Sequence, residues 1–573
     1  MARSILLTGC GAIWVLAGAA VGQTPEQVVE EYAARAWQME SRVRSSTGEE
    51  VPPLPPTFRA WWEPLASRPL EAEEKAIAFS VQELILRALE HSSRAAVYRY
   101  GPLIQRTFVA EADGEFDARG FIDSKFVRTS EPVGNLLTTG GPDRFRDADW
   151  GYELGLRKTT RSGGRFEISQ QIGIQTNNSI FFVPSEQGNA RLTISFTQPL
   201  WRGAGKAYNM ATELIAQIEA DASLYEFERR MEDFLVDVYE AYWSLYLERV
   251  AYLQRQKLLE AGEGILRELE MRQNVDVRQS QILQARARVE RRRHDLVSSW
   301  RAVRNAEARI RALVNDPDFL AAESIELVPR EIPSRLRVDL RLRDALVAAV
   351  ENREEVEETL REIRAAAWRL KVAEQDLLPR LDAILETYVS GLADNFSVGD
   401  ALGGQFLEGE PSYTVGFAFE LPIHNTAARA RYHRRQLEIQ QMLAQFRTTM
   451  ENLMAEVEIA VRNVNTSYEQ VQTAYRSMEA AASELRYYQE RWRLMPGDED
   501  IASVILENLL LSQERLAQAE YAFAQSLVAY NISHIHAKRA EGILFRAEQM
   551  IQPQAQGPVP DSTPALPQGE QMR

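Results

Sequence analysis

The side chains of this chain that can do chemistry are spaced so that they do little of it. The six histidines are His91, His294, His424, His433, His534 and His536. His534 and His536 lie two apart, a spacing that puts them on different faces of a helix, so a metal site is not expected. There is no Gly-rich phosphate loop, His-Glu-x-x-His motif or nucleophile elbow. Carboxylates in runs such as Glu351–Arg369 alternate with arginine and read as solvated helical faces with intrahelical pairing. Acid also gathers at two turns: Asp276 in the first, and Asp498, Glu499 and Asp500 in the second, with Glu507 beyond. As ordinary turn residues these are solvated and favoured by the dipole of the following helix. Neither an enzyme nor a cofactor is expected.

The elements that position those turns occur twice. Phe196-Thr197-Gln198-Pro199-Leu200 ends a strand-like run and opens a long helical stretch, and Phe419-Glu420-Leu421-Pro422-Ile423 does the same at an offset of 223 (196 to 419). Asp237–Tyr242 aligns with Glu456–Val461 at an offset of 219 (237 to 456). Such self-similarity implies a duplicated unit. A seam at alternating spacings of three and four runs Met231, Phe234, Val238, Ala241, Leu245 in the first copy, and Phe446, Met450, Leu453, Val457, Ala460, Val464 in the second. Sustained heptads predict long coiled-coil helices. Asn274-Val275-Asp276 and Pro496-Gly497-Asp498 turn each long helix into a return helix, about 277–314 and about 501–544.

Before each long helix the pattern changes to period two. Trp150, Tyr152, Leu154 and Leu156 alternate, as do Phe166, Ile168, Ile172 and Ile174, with Ser162-Gly163-Gly164 as a hairpin turn between them. Leu192, Ile194 and Phe196 follow. The second copy offers Leu381, Ile384 and Tyr388, a long polar loop, then Tyr413, Val415, Phe417 and Phe419. One helix is expected from Ser80, an N-cap with Glu83 in a capping box, towards Val109 with a kink at Pro102, and its equivalent over 340–378.

The chain of 573 residues carries 66 Lys+Arg against 82 Asp+Glu, a net charge of −16, which argues against a nucleic-acid partner. Residues 1–22 read as a signal peptide: Arg3, an apolar run from Ile5 to Val21, and a small-x-small site at Ala20-Val21-Gly22. Cys10, the sole cysteine, lies inside it in a lipoprotein-like Leu-Thr-Gly-Cys taken as accidental, so disulfides and cysteine-bound zinc are not expected. Residues 23–79 form an N-terminal segment whose Pro-rich linker carries Trp61 and Trp62, placed to anchor it. The first repeat spans 80–315 (strands about 116–198, hairpin 205–315), a connector 316–339, and the second repeat 340–545 (strands about 380–421, hairpin 425–545). A disordered tail covers 546–573.

No later stretch is apolar enough for a transmembrane helix, so entry into a membrane requires strands. A barrel closes only with about eight or more strands. At two membrane strands per repeat one chain supplies four, and three chains supply twelve. The alternative is a soluble periplasmic coiled-coil scaffold, which has no use for alternating aromatic strands, or an adaptor protein, which usually carries one long hairpin where this chain has two.

Gln198-Pro199-Leu200-Trp201-Arg202-Gly203, Leu421-Pro422-Ile423, Asp237-Val238 with Ala241-Tyr242-Trp243, Leu378-Pro379-Arg380-Leu381, Ala519-Glu520-Tyr521, Tyr530-Asn531 and Gly542-Ile543-Leu544, in that arrangement, resemble the outer membrane efflux protein family, the TolC-like exit ducts. The resemblance covers roughly residues 80–545. It implies a mixed α/β, mainly α, membrane protein of duplicated helix-strand-strand-helix units. As a homotrimer these form a 12-stranded β-barrel in the outer membrane, continuous with a long periplasmic α-helical coiled-coil barrel. It implies a passive channel of a tripartite efflux or type I secretion system, with outer membrane lipid, a periplasmic adaptor protein and an inner-membrane transporter as partners. It further implies that Asp276, Asp498, Glu499, Asp500 and Glu507 ring the periplasmic aperture, and that Val275, Ala502 and Leu506 lie where the adaptor docks.

Overall fold

The computed structural model describes residues 25–38, 54–55, 58–70, 75–135, 137, 139–272, 278–321, 325–494 and 499–546. In chain order the main elements are α1 (Pro25–Gln38), β1 (Ala76–Phe79), α2 (Val81–His91), α3 (Ser93–Asp113), β2 (Arg119–Pro132), β3 (Arg144–Thr159), β4 (Arg165–Asn177) and β5 (Glu186–Pro199). Then come α4 (Ala211–Met271), α5 (Gln279–Val314), β6 (Glu326–Pro329), α6 (Leu342–Asn352), α7 (Glu354–Gln375), β7 (Arg380–Asp394), α8 (Val398–Leu407), β8 (Ser412–Glu420), α9 (Thr426–Arg493) and α10 (Glu499–Ala540). The signal-peptide, Cys10 and tail assignments lie outside the described residues.

Strand, helix, break, helix, strands, long helix, return helix is the order in each half of the chain. The expected single opening helices are in fact broken. α2 and α6 are both 11 residues long, and each ends where one residue turns extended, Ser92 at ψ 122° and Arg353 at ψ 129°. Ser80 caps α2 through the expected box with Glu83. Pro102 sits inside α3 without ending it. α4 and α9 run 61 and 68 residues, about 90 and 100 Å at the helical rise of ~1.5 Å per residue. Asn315, left-handed at φ 58°, closes α5, and Asp316 caps the turn that begins at Pro317.

The halves differ in strands. The first contributes four, the second two, and they join in one antiparallel sheet of order β2-β3-β4-β5-β7-β8. The first repeat therefore brings more strands to the sheet than the two membrane strands assumed in the count of twelve. β2 was missed because its apolar residues come as doublets, Phe121-Ile122 and Phe126-Val127, and show no clean alternation. The long polar loop after Tyr388 is also corrected: β7 continues to Asp394 and α8 follows.

Because β5 pairs with β7, the compact units are not the two repeats. Residues 101–224 and 357–446 make one unit, and 26–100, 225–356 and 447 onward the other. In the second unit β1 and β6 pair in parallel, Phe79 opposite Pro329, joining the strands that precede α2 and α6. Phe79 packs on Tyr242 and Phe319 at 5.8 and 5.5 Å between ring centres. The Pro-rich segment is anchored as expected: Trp62 is buried, Trp61 donates to Glu520 Oε1 at 2.9 Å, and Phe58 lies edge-on to Tyr475. Both helical seams are buried, from Met231 to Leu245 and from Phe446 to Val464.

Candidate channel wall and helical tips

The strand register sorts the sheet into two chemically distinct faces. Directly opposed residues of antiparallel strands point to the same side. Along one row Phe126, Trp150, Ile174, Gly188 and Ala393 are in register, and along another Leu154, Gln170, Leu192 and Val389. Nearer the helices come Lys158, Phe166, Phe196, Leu385 and Val415. Between these outer rows no position on this face carries a charge. The opposite face carries Asp123, Glu153, Arg157, Glu167, Arg191 and Glu386 among its residues. There Arg157 pairs with Glu167 at 2.9 Å, and Arg191 lies 3.6 Å over the Tyr388 ring. The apolar face is open to solvent in the isolated chain, with Tyr413 82% and Phe417 71% exposed. So extensive an exposed apolar surface marks an interaction surface. Among the described residues no helix is long and apolar enough to cross a membrane.

The apolar face also carries Ser124, Thr387 and Gln170, and the largest of these polar side chains, Gln170, is partnered. Its Nε2 donates to Gln405 Oε1 at 3.3 Å, and Gln405 Nε2 returns a bond to Gln170 Oε1 at 3.1 Å. Gln405 comes from α8, which packs on β5 and β7 and touches β4. Nothing in the sequence linked two glutamines 235 residues apart.

At the tips the structure separates the candidates. Asp276, Val275 and Asp498 lie outside the described residues, and Glu499 and Asp500 begin α10. Glu507 is exposed and Ala502 half-buried. Leu506, only 2% exposed, is not free for a partner: it packs with Ile265, Leu269, Ile282, Leu509 and Leu510 in the core of its own hairpins. The exposed apolar residue on that turn is Val504. Gln281 donates to Ser503 Oγ at 2.6 Å and Trp492 to Glu268 Oε1 at 3.1 Å.

Two buried charge clusters had no sequence signal. Arg249 and Glu326 are both fully buried and 2.5 Å apart. Arg249 also donates to the carbonyls of Ala66 and Arg68, and Glu326 accepts from the Leu70 N–H. Around the break at Arg353, that guanidinium binds Glu355 and Glu456. Gly542, left-handed at φ 66°, passes so close that a Cβ would stand 2.9 Å from the Arg353 backbone. Burial pushes Glu232 up to about 7, against a bond from the Phe545 N–H. Burial, then the nearby Glu232 charge, pushes Glu354 up to about 8. Glu354 Oε2 has no hydrogen-bond partner among the described residues. Among those residues no group of three or more His, Cys, Asp or Glu is placed to hold a metal ion.

No protein-family model matches the chain, and no curated protein matches it. Solved structures do. The outer membrane protein VceC from Vibrio cholerae is similar with a TM-score of 0.58 at 16% identity, over 81% of this chain and 96% of that one. The Campylobacter jejuni CmeC outer membrane channel gives 0.59 at 15%, over 84% and 91%. The open Neisseria gonorrhoeae MtrE outer membrane channel gives 0.55 at 14%, over 83% and 94%. At such identities the likeness is one of fold, and at that level it agrees with the resemblance read from the motifs: this chain has the fold of the outer membrane channels.

Proposed function

We propose that the protein is the outer membrane channel of an efflux system, a passive duct whose wall is the six-stranded sheet, with its apolar face towards lipid and its polar face towards water. The observation that carries this is the apolar face that continues from strand to strand through the sheet, uncharged from the Trp150 row to the Leu156 row, with Lys158 at its helix-side end. From Leu381 to Ala393 on β7 that face spans twelve residue steps. This is about 40 Å along the strand, or roughly 28 Å of thickness at a ~45° tilt, which fits a hydrocarbon core. Aromatic residues stand near both ends, Trp150 with Tyr152 and Trp201 with Phe419, as a barrel's interfacial girdles require. The free edges β2 and β8 must be closed by other copies, since unpaired backbone cannot face lipid.

The homotrimer comes from the family resemblance. Three copies of a six-stranded sheet supply eighteen strands, where the sequence count gave twelve. The helices stand in the periplasm on this reading, and their tips, with Asp276, Asp498, Glu499, Asp500 and Glu507, narrow the entrance and favour cations. Val275 and Ala502, with exposed Val504 in place of Leu506, meet the adaptor protein that links the duct to an inner-membrane transporter. On this reading the duct is built from two repeats, 80–315 and 340–545, joined by the connector 316–339, with their hairpins at 205–315 and 425–545.

The test is membrane fractionation, the mass of the detergent-extracted complex, and conductance in planar bilayers. A trimer in the outer membrane with a steady large conductance is expected. A soluble periplasmic monomer would overturn the reading and leave the scaffold alternative.

A further inference from the structure

α8 stands between β7 and β8, at the end of the sheet away from the strand ends that lead into α4 and α9. The chain reaches it through Asn395 and Phe396, both left-handed at φ 55°. That conformation is costly for a residue as bulky as phenylalanine. It turns α8 back onto the sheet, where Ser397 N–H bonds to the Asp394 carbonyl at 3.1 Å.

Register decides which side of the sheet α8 covers. Gly391 stands opposite Ala190, which stands opposite Ile172, and Gly188 stands opposite Ile174. All belong to the apolar face. A Cβ on Gly391 would collide with the Ala401 carbonyl, and one on Gly188 would lie 2.7 Å from the Ser397 backbone. The sheet carries small residues where the helix backbone lies against it. Ala401 and Gln405 face inward and are fully buried. Gln405 exchanges two hydrogen bonds with Gln170 and so leaves no unpaired amide on that face.

The outward side of α8 is apolar where a soluble loop would be polar. Residues 401–407 read Ala-Leu-Gly-Gly-Gln-Phe-Leu with no charge. Phe406 is 64% and Leu407 87% exposed, and Asp400 and Glu408 flank the run. The geometry points to α8 as a lipid-contacting helix mounted on the outside of the channel wall. Phe406 and Leu407 enter the acyl chains of the leaflet away from the long helices, and the Gln170–Gln405 pair clamps the helix to the wall. Apolar burial at the boundary of a bilayer stabilises such a helix, and satisfied amides are what an apolar solvent demands. The inference rests on the sheet's apolar face being the lipid face.

The test uses single cysteines in a Cys10→Ser background of the full chain, because Cys10 is the sole cysteine. Phe406→Cys and Leu407→Cys are each spin-labelled and reconstituted in phosphatidylethanolamine/phosphatidylglycerol vesicles. Phe417→Cys on the apolar face and Thr414→Cys on the polar face serve as references. Collision with oxygen, which partitions into lipid, is compared with collision with a water-soluble nickel chelate. An oxygen-to-nickel ratio at 406 and 407 several-fold above that at 414 and near that at 417 is expected. A lipid-like 417 with water-like 406 and 407 would overturn the α8 assignment alone. Protection of 406 and 407 from both reagents would overturn it in favour of contact with another copy. A water-like 417 would overturn the lipid-face reading and this inference with it.

Discussion

Phe417 in the sheet and Phe523 in the return helix α10 are the same side chain under opposite rules. Phe417 is 71% exposed in the chain, while Phe523 is fully buried among Phe58, Trp62 and Tyr475. The helical unit buries many of its apolar residues and some of its charges within itself, as the Arg249–Glu326 pair does. The sheet leaves much of one face apolar and exposed, and it gathers its charges on the other face, where Arg157 pairs with Glu167. A packed core and an exposed apolar face differ in this way: the first finds its partners within the chain, and the second marks an interaction surface, which on the proposed function meets lipid and other copies.

The sharpest test of the helical side is Arg249→Met. It strands Glu326 in a fully buried site, and a loss of about 3–5 kcal/mol is expected by denaturant unfolding in detergent. Adding Glu326→Leu should recover most of that loss, because the charge left unpaired is gone. A single substitution with the stability of wild type would show that the pair carries nothing.

On the sheet, the contrast between faces is tested by Tyr413→Arg against Thr414→Arg. If one face meets lipid, the first, opposite Thr387 at the middle of the apolar band, costs about 2–4 kcal/mol of folding free energy in bilayers and the second close to none. Equal effects would erase the distinction between the faces.

A smaller effect separates the units by pH. Glu232 and Glu354 hold their protons up to about 7 and about 8, whereas in the unfolded chain they lose them near the ordinary carboxylate value of 4.5. In that window the native state binds more protons than the unfolded state, so stability falls as pH rises. Their contribution is complete below about 4.5 and is lost as pH climbs through 7 to 8. Glu354→Gln should flatten the decline and raise stability at pH 8 by on the order of 1–3 kcal/mol. Unfolding followed between pH 5 and 9 reads it, and an unchanged slope would count against the assignment.

The smallest effect concerns the tips. Neutralising Asp498, Glu499 and Asp500 together should lower cation selectivity and alter conductance in planar bilayers, by a modest factor because turn acids are screened. No change in either would remove these residues from the aperture.

Periodicity in the sequence was enough to place α4, α9 and their return helices, the Ser80 capping box and the β3–β4 hairpin, since each depends on residues close in the chain. It also separated the strands from the coiled-coil seams, because periods of two and of three-four repeat along a single stretch. Tertiary structure alone decided the rest. β2 joined the sheet by pairing with β3, which its doublets did not foretell. α8 replaced a loop because small residues far apart in sequence, Gly188 and Gly391, opened a seat for it. Leu506 went to a core and not to a surface, because hairpins from both halves of the chain pack there. Arg249 found Glu326, and Gln170 found Gln405, across 77 and 235 residues. Local patterns fix which face of an element is apolar. What that face meets depends on partners brought together only when the chain is folded.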